Sequence, residues 1–210
     1  MSAILCSRWI LVGVLLAHSM ACASGASAQP GPLQPAAPVG PTADDALVPP
    51  GLGTLRQDDF TVSLRSGPLL IKVTPLNESV IRLAAPDTYE RLHALAEVRR
   101  AEASGSIGSP ELFLVSFFSY EPDVQFEPAD VELTHQGRLI RAARVFPITP
   151  GWGTQRLRQQ ETQSAIYAFE AEIDFDQSIG IRYRAEENRD WDRIISRLQA
   201  ERARVRGRGS

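Results

Sequence analysis

The chain has 210 residues, 43% of them hydrophobic, and 22 Lys and Arg against 25 Asp and Glu leave a formal net charge of −3. A charge this balanced gives no argument for a nucleic-acid partner, and none is expected. The two cysteines, Cys6 and Cys22, are too few for a disulfide framework, so stability has to come from an apolar core.

Residues 1–28 read as a secretory signal peptide. Arg8 is the only charge of the opening stretch, and WILVGVLLA (9–17) follows it as a compact apolar run that gives way to small residues. Nine residues are well short of the roughly 20 that a membrane-spanning helix needs. Three cuts compete. Ala26-Ser27-Ala28 before Gln29 has small residues at −3 and −1, and Ala21-Cys22-Ala23 repeats that spacing closer to the apolar run. A lipoprotein cut before Cys22 is the third, although Ser19 stands where lipoprotein signals usually carry a leucine-like residue. The expected cut is between Ala28 and Gln29, which removes both cysteines. The chain then travels to an extracytoplasmic (periplasmic or secreted) compartment, with membrane attachment only if Cys22 is lipidated. Lys72 is the single lysine beside 21 arginines, a bias that suits a GC-rich bacterial source.

Residues 29–53, with seven prolines and few large apolar side chains, read as a disordered Pro-rich linker. Residues 54–206 are about the size of one domain, and 207–210 form a disordered tail.

Phe60, Val62 and Leu64 alternate with polar residues as a strand does, and LLIKVT (69–74) gives a second strand that Pro75 ends. Asp87 and Glu90 resemble a capping box for a helix over 88–103, with Tyr89, Leu92 and Ala96 on its apolar stripe. Ser104-Gly105-Ser106 stops it. ELFLVSFFSY (111–120) is apolar on both faces, which predicts a strand covered on both, with the 88–103 helix over one of them. Val131 and Leu133 mark a short strand, His135-Gln136-Gly137-Arg138 a turn, and residues 138 to about 146 a further strand. Ala165, Tyr167, Phe169, Ala171 and Ile173 alternate cleanly, and Ile179, Ile181 and Tyr183 do so again after a tight turn. Asn188 is placed to cap a last helix whose stripe is Trp191, Ile194, Ile195 and Leu198. Seven or so short strands with turns between them predict a mainly β, antiparallel sandwich of immunoglobulin-like type, with one inserted and one C-terminal helix. Acidic residues over 121–132 and arginines over 138–158 predict cross-strand charge pairs.

Catalytic motifs are absent: there is no G-x-S-x-G, P-loop, H-E-x-x-H or C-x-x-C. His93 and His135 lack a second histidine at ligand spacing, and no cofactor or metal is expected. Asp174-Phe175-Asp176-Gln177-Ser178 begins like a calcium loop, but Ile179 and Ala185 occupy the positions that need Gly and Glu, so it reads as an acidic turn. Glu170 and Glu172, spaced about 7 Å apart on one strand face, would suit a carboxylate-dependent hydrolase or carbohydrate-active domain. Gly151-Trp152-Gly153 is the one local binding feature. Trp152 is either a stacking surface for a sugar, a peptide or a partner, with Arg156 and Arg158 holding an anionic group beside it, or a plug for an open end of the sandwich. The basic C-terminal helix offers a third reading, an assembly subunit that docks a partner. Taken together, the expectation is a non-enzymatic binding or scaffold module of a cell envelope, its partner an envelope protein or a glycan.

Overall fold

The computed structural model describes residues 47–103 and 109–208. The signal segment with Cys22, the Ala28–Gln29 cut, most of the linker and the 104–106 helix stop lie outside them.

The described chain is mainly β, with antiparallel sheets and a C-terminal helix. Strand β1 (Val62–Ser66) turns through Gly67-Pro68 into β2 (Leu69–Pro75), and Gly67 supplies the positive φ, +57°, that such a tight hairpin needs. Two helices, α1 (Glu78–Ile81) and α2 (Pro86–Ala103), separate β2 from β3 (Glu111–Ser119). The two-residue β4 (Val124–Gln125) precedes β5 (Val131–His135), β6 (Arg138–Arg141) and β7 (Arg144–Pro147). After the Trp152 loop come β8 (Arg156–Leu157), β9 (Thr162–Phe169), β10 (Ile179–Tyr183), β11 (Glu186–Asn188) and α3 (Trp191–Arg208). One sheet has the order β1-β2-β3-β9-β7, a second β11-β10-β5-β6, and β4 pairs with β8.

Strand β3 is the middle of the larger sheet and is buried on both faces. Phe113, Val115 and Phe117 point inward; Phe117 meets Tyr183 of β10 at 5.9 Å between ring centroids, so the two sheets share one core. Leu112 and Leu114 point outward and are also buried. Helix α2 covers that half, with Leu92 and Ala96 fully buried and Arg99 lying over the Phe146 ring of β7 at 5.7 Å. Each buried side chain of this size contributes roughly 1.5–3 kcal/mol.

Several local expectations are corrected. Phe60 belongs to a 3-10 turn (Gln57–Phe60), not to β1. Helix α2 starts at Pro86, whose fixed φ suits a first turn, and the Tyr89 N–H already donates to Ala85 O at 2.8 Å, so Asp87 and Glu90 form no capping box. The 138–146 strand bends at Ala142-Ala143: β6 pairs with β5, and β7 pairs with β9 in the other sheet. Strand β9 stops at Phe169 because its partner β3 begins opposite it, at Glu111; Ala171 and Ile173 therefore leave the strand. Asn188 ends β11 and does not cap α3. Its Oδ1 accepts from the Asp190 N–H and its Nδ2 donates to Ser63 O of β1 at 2.8 Å, while the Ile194 N–H donates to Asp190 O. Trp191, Ile194 and Leu198 are buried against the chain's own core, which removes the main support for a docking helix. The expected charge pairing is present between β5 and β6, where Arg141 Nε donates to Glu132 Oε1 at 2.7 Å.

The packed fold also begins earlier than residue 54. Val48 is buried, and Gly53 lies so close to α1's C-terminal flank that a Cβ on it would stand 2.1 Å from the Leu83 carbonyl carbon. Beside it, Thr54 N–H and Oγ1 donate to Glu201 Oε1 at 2.7 and 2.9 Å, and Arg204 Nε donates to Glu201 Oε2 at 2.6 Å. Arg204 also reaches Leu52 O at 3.0 Å, so α3 clasps the start of the domain. Limited proteolysis should leave a resistant fragment that retains Val48–Gly53, and Gly53→Ala should cost about 1–3 kcal/mol through overpacking, read by chemical denaturation. Hydrogen bonds from Arg204, and then from Thr54, outweigh desolvation and hold the Glu201 carboxyl down at about 2, below its ordinary 4.5. A lowered carboxylate value stabilises the fold above the ordinary value, and that contribution fades as pH falls from 4.5 towards 2. Glu201→Gln should flatten the stability–pH curve in that window.

Candidate functional site

A cleft of about 640 Å³ opens at one end of the sheets, where the β3–β4, β7–β8 and β8–β9 connections converge. Short backbone links hold these connections together. Val124 pairs with Leu157, the Phe126 N–H donates to Gln155 O, and the Gln160 N–H donates to Ser119 O at 2.8 Å. Each connection also holds a residue at positive φ: Asp123 at +62°, Gly151 at +91°, Gln155 at +49° and Gln160 at +59°. Side-chain-bearing residues rarely adopt this conformation, and of the three here Asp123 lines the cleft itself.

Trp152 forms the base of this end. It is 7% exposed and packs on Phe126 at 5.2 Å, Phe117 at 5.8 Å and Tyr167 at 6.5 Å between ring centroids. The indole is thus a core plug with no ring face free for stacking. Arg156 and Arg158 both line the cleft above it. The Arg156 guanidinium pairs with the Asp123 carboxylate. The Arg158 guanidinium makes no ion pair at contact distance among the described residues.

Glu161 and Gln163 complete the cleft. The Arg158 backbone N–H donates to Glu161 Oε2 at 2.7 Å, and Gln163 Nε2 donates to Glu161 Oε1 at 3.0 Å. Chiefly through the backbone bond, the Glu161 carboxyl is held below its ordinary range. It stays ionised, with both oxygens occupied. Gln163 is 1% exposed, and its Nε2 also donates to Arg156 O at 3.0 Å. Both Nε2 partners are acceptors, so exchanging oxygen and nitrogen in this amide would set oxygen against oxygen; the orientation is fixed. Oε1 is left buried without a hydrogen-bond partner among the described residues. A buried acceptor in that state carries a cost of about 1–3 kcal/mol until a donor reaches it.

Sequence reasoning found Trp152, Arg156 and Arg158 but missed Asp123, Glu161 and Gln163. A signal for Gln163 existed. Along β9 the inward positions are Gln163, Ala165, Tyr167 and Phe169, and a glutamine in that series is out of place in a core.

The other candidates disperse. Glu170 and Glu172 follow the end of β9 and share no strand face, which removes the geometry suggested for a hydrolase. His93 Nδ1 is bonded to Glu78 Oε1 at 2.7 Å, and its ring stacks on Tyr89. His135 is buried in the second sheet; its Nδ1 faces Ser178 O at 3.2 Å and its Nε2 accepts from the Asp174 N–H at 3.3 Å. The acidic segment is a turn, with Asp174 Oδ1 accepting from the Asp176 N–H. Among the described residues no group of three or more His, Cys, Asp or Glu is placed to hold a metal ion, and no helix is long and apolar enough to cross a membrane.

No protein family, curated protein or solved structure matches the chain. Trp152→Ala should destabilise the protein by about 3–5 kcal/mol, measured by denaturant unfolding, because it empties a fully enclosed aromatic site.

Proposed function

We propose that this chain is an exported, non-enzymatic binding module of a bacterial cell envelope. The two sheets would act as the layers of an immunoglobulin-like sandwich that carries a binding cleft at one end. The observation that carries this reading is the cleft itself, where the Arg158 guanidinium, attracted to Glu161 but in no ion pair at contact distance among the described residues, lines the same cleft as Gln163, whose buried Oε1 lacks a donor. Groups left in that state favour a ligand that completes them. Glu161, with both oxygens occupied and its carboxyl held ionised, is poorly suited to proton transfer, which favours binding over hydrolysis. The signal-like N-terminus and the Pro-rich stretch after it support export and a tether.

Two measurements test the proposal. Intact-mass analysis of the protein from its native host should give a first residue of Gln29, in an extracytoplasmic fraction; an acyl group on Cys22 would add membrane attachment. The isolated protein should sediment with purified envelopes, and an Arg156→Ala/Arg158→Ala double variant with unchanged Tm should remain in the supernatant. A chain that keeps Met1 and stays in the cytosol overturns the export half. Equal sedimentation of the double variant overturns the binding half.

A further inference from the structure

The cleft can be matched to a ligand by asking what its unused groups require. The rim offers a cation, the Arg158 guanidinium, whose fork of donors fits a carboxylate. Gln163 lines the same cleft, and its buried Oε1 is a neutral acceptor with no hydrogen-bond partner among the described residues. The remaining charges are engaged internally, Asp123 with Arg156, and Glu161 with the Arg158 backbone N–H and the Gln163 amide and, at longer range, with the Arg158 guanidinium. The apolar walls are Pro122, Pro150 and Leu157, and the nearest tryptophan is turned into the core. A sugar ring therefore finds no aromatic face here, while a short aliphatic backbone finds two proline walls.

From this arrangement, and resting on the reading of the cleft as a binding site, we infer that it captures the free C-terminal end of a peptide. The terminal carboxylate pairs with Arg158, and the last amide N–H donates to Gln163 Oε1. Carboxylate capture joined to a main-chain hydrogen bond is an established mode of peptide recognition. It would also give a donor to Gln163 Oε1, which has none among the described residues. No covalent step is involved.

Titration of the ¹⁵N-labelled protein with N-acetyl-alanyl-alanine tests the inference. Saturable shifts are expected at the amides of Gly151, Arg158 and Gln163. The C-terminal carboxamide of the same peptide should bind at least about tenfold more weakly, since it lacks the charge that Arg158 recognises. The depsipeptide in which an ester oxygen replaces the last N–H should lose about tenfold, since it has no donor for Gln163 Oε1. Arg158→Ala, with its Tm unchanged, should lose the preference for acid over carboxamide. Equal binding of the acid and the carboxamide, no shift with any of the three, or shifts with galacturonic acid alone would each overturn the inference. If sedimentation with envelopes depends on Arg156 and Arg158 but none of these peptides binds, the inference fails and the binding module stands.

Discussion

Strand β3 has to be buried twice, and most of the architecture follows from that. Phe113 and Phe117 can leave water only if a second sheet lies opposite, and Leu112 and Leu114 only if something covers the back. Helix α2 supplies that cover, and the chain inserts it between β2 and β3, where it can fold back over the strand that needs it. A nine-residue strand with four aromatic or leucine side chains facing water would invite pairing with other chains. The antiparallel neighbours β2 and β9 occupy both of its edges, so neither its faces nor its backbone is left open.

The two sheets are also tied through the chain itself. Between β6 and β7 two alanines carry the backbone from one sheet into the other, and their small side chains let the strand bend without a clash. At the opposite margin the Asn188 side chain joins β11 to β1. These ties fix where the strand ends fall, and the strand ends set the mouth of the cleft. Trp152 closes the core at that end, and the cleft is bordered by short connections in which Asp123 and Gly151 take positive φ.

The sequence made some of this legible and hid the rest for physical reasons. Period-two patterns match the strands at Leu69, Ile71 and Val73 and at Ile179, Ile181 and Tyr183, but overrun them at Phe60 and at Ala171 and Ile173, which are outside the ladders. The double burial of β3 was visible because both of its faces are apolar. Sheet membership was not visible: RLIRAARVF (138–146) contains no Gly or Pro to mark a break, and only the partners of Arg141 and Arg144 show that it serves two sheets. Helix α1, four residues long, could not be read because its stability comes from the full burial of Val80 and Ile81 rather than from local propensity. The cleft was half legible. Its arginines and tryptophan stand in one short segment, but Glu161 and Gln163 acquire meaning only when β9 brings them beneath Gly151.

The clasp between Glu201 and Thr54 has a mechanical side. Whatever pulls on the segment before Val48 reaches the domain at Thr54 and Leu52, and both are held by the last turns of α3 rather than by a sheet edge. A pull on this segment would therefore meet the carboxylate–guanidinium clasp of α3 together with the buried Val48 and the backbone bonds of Leu55 to Leu83 and Ala85.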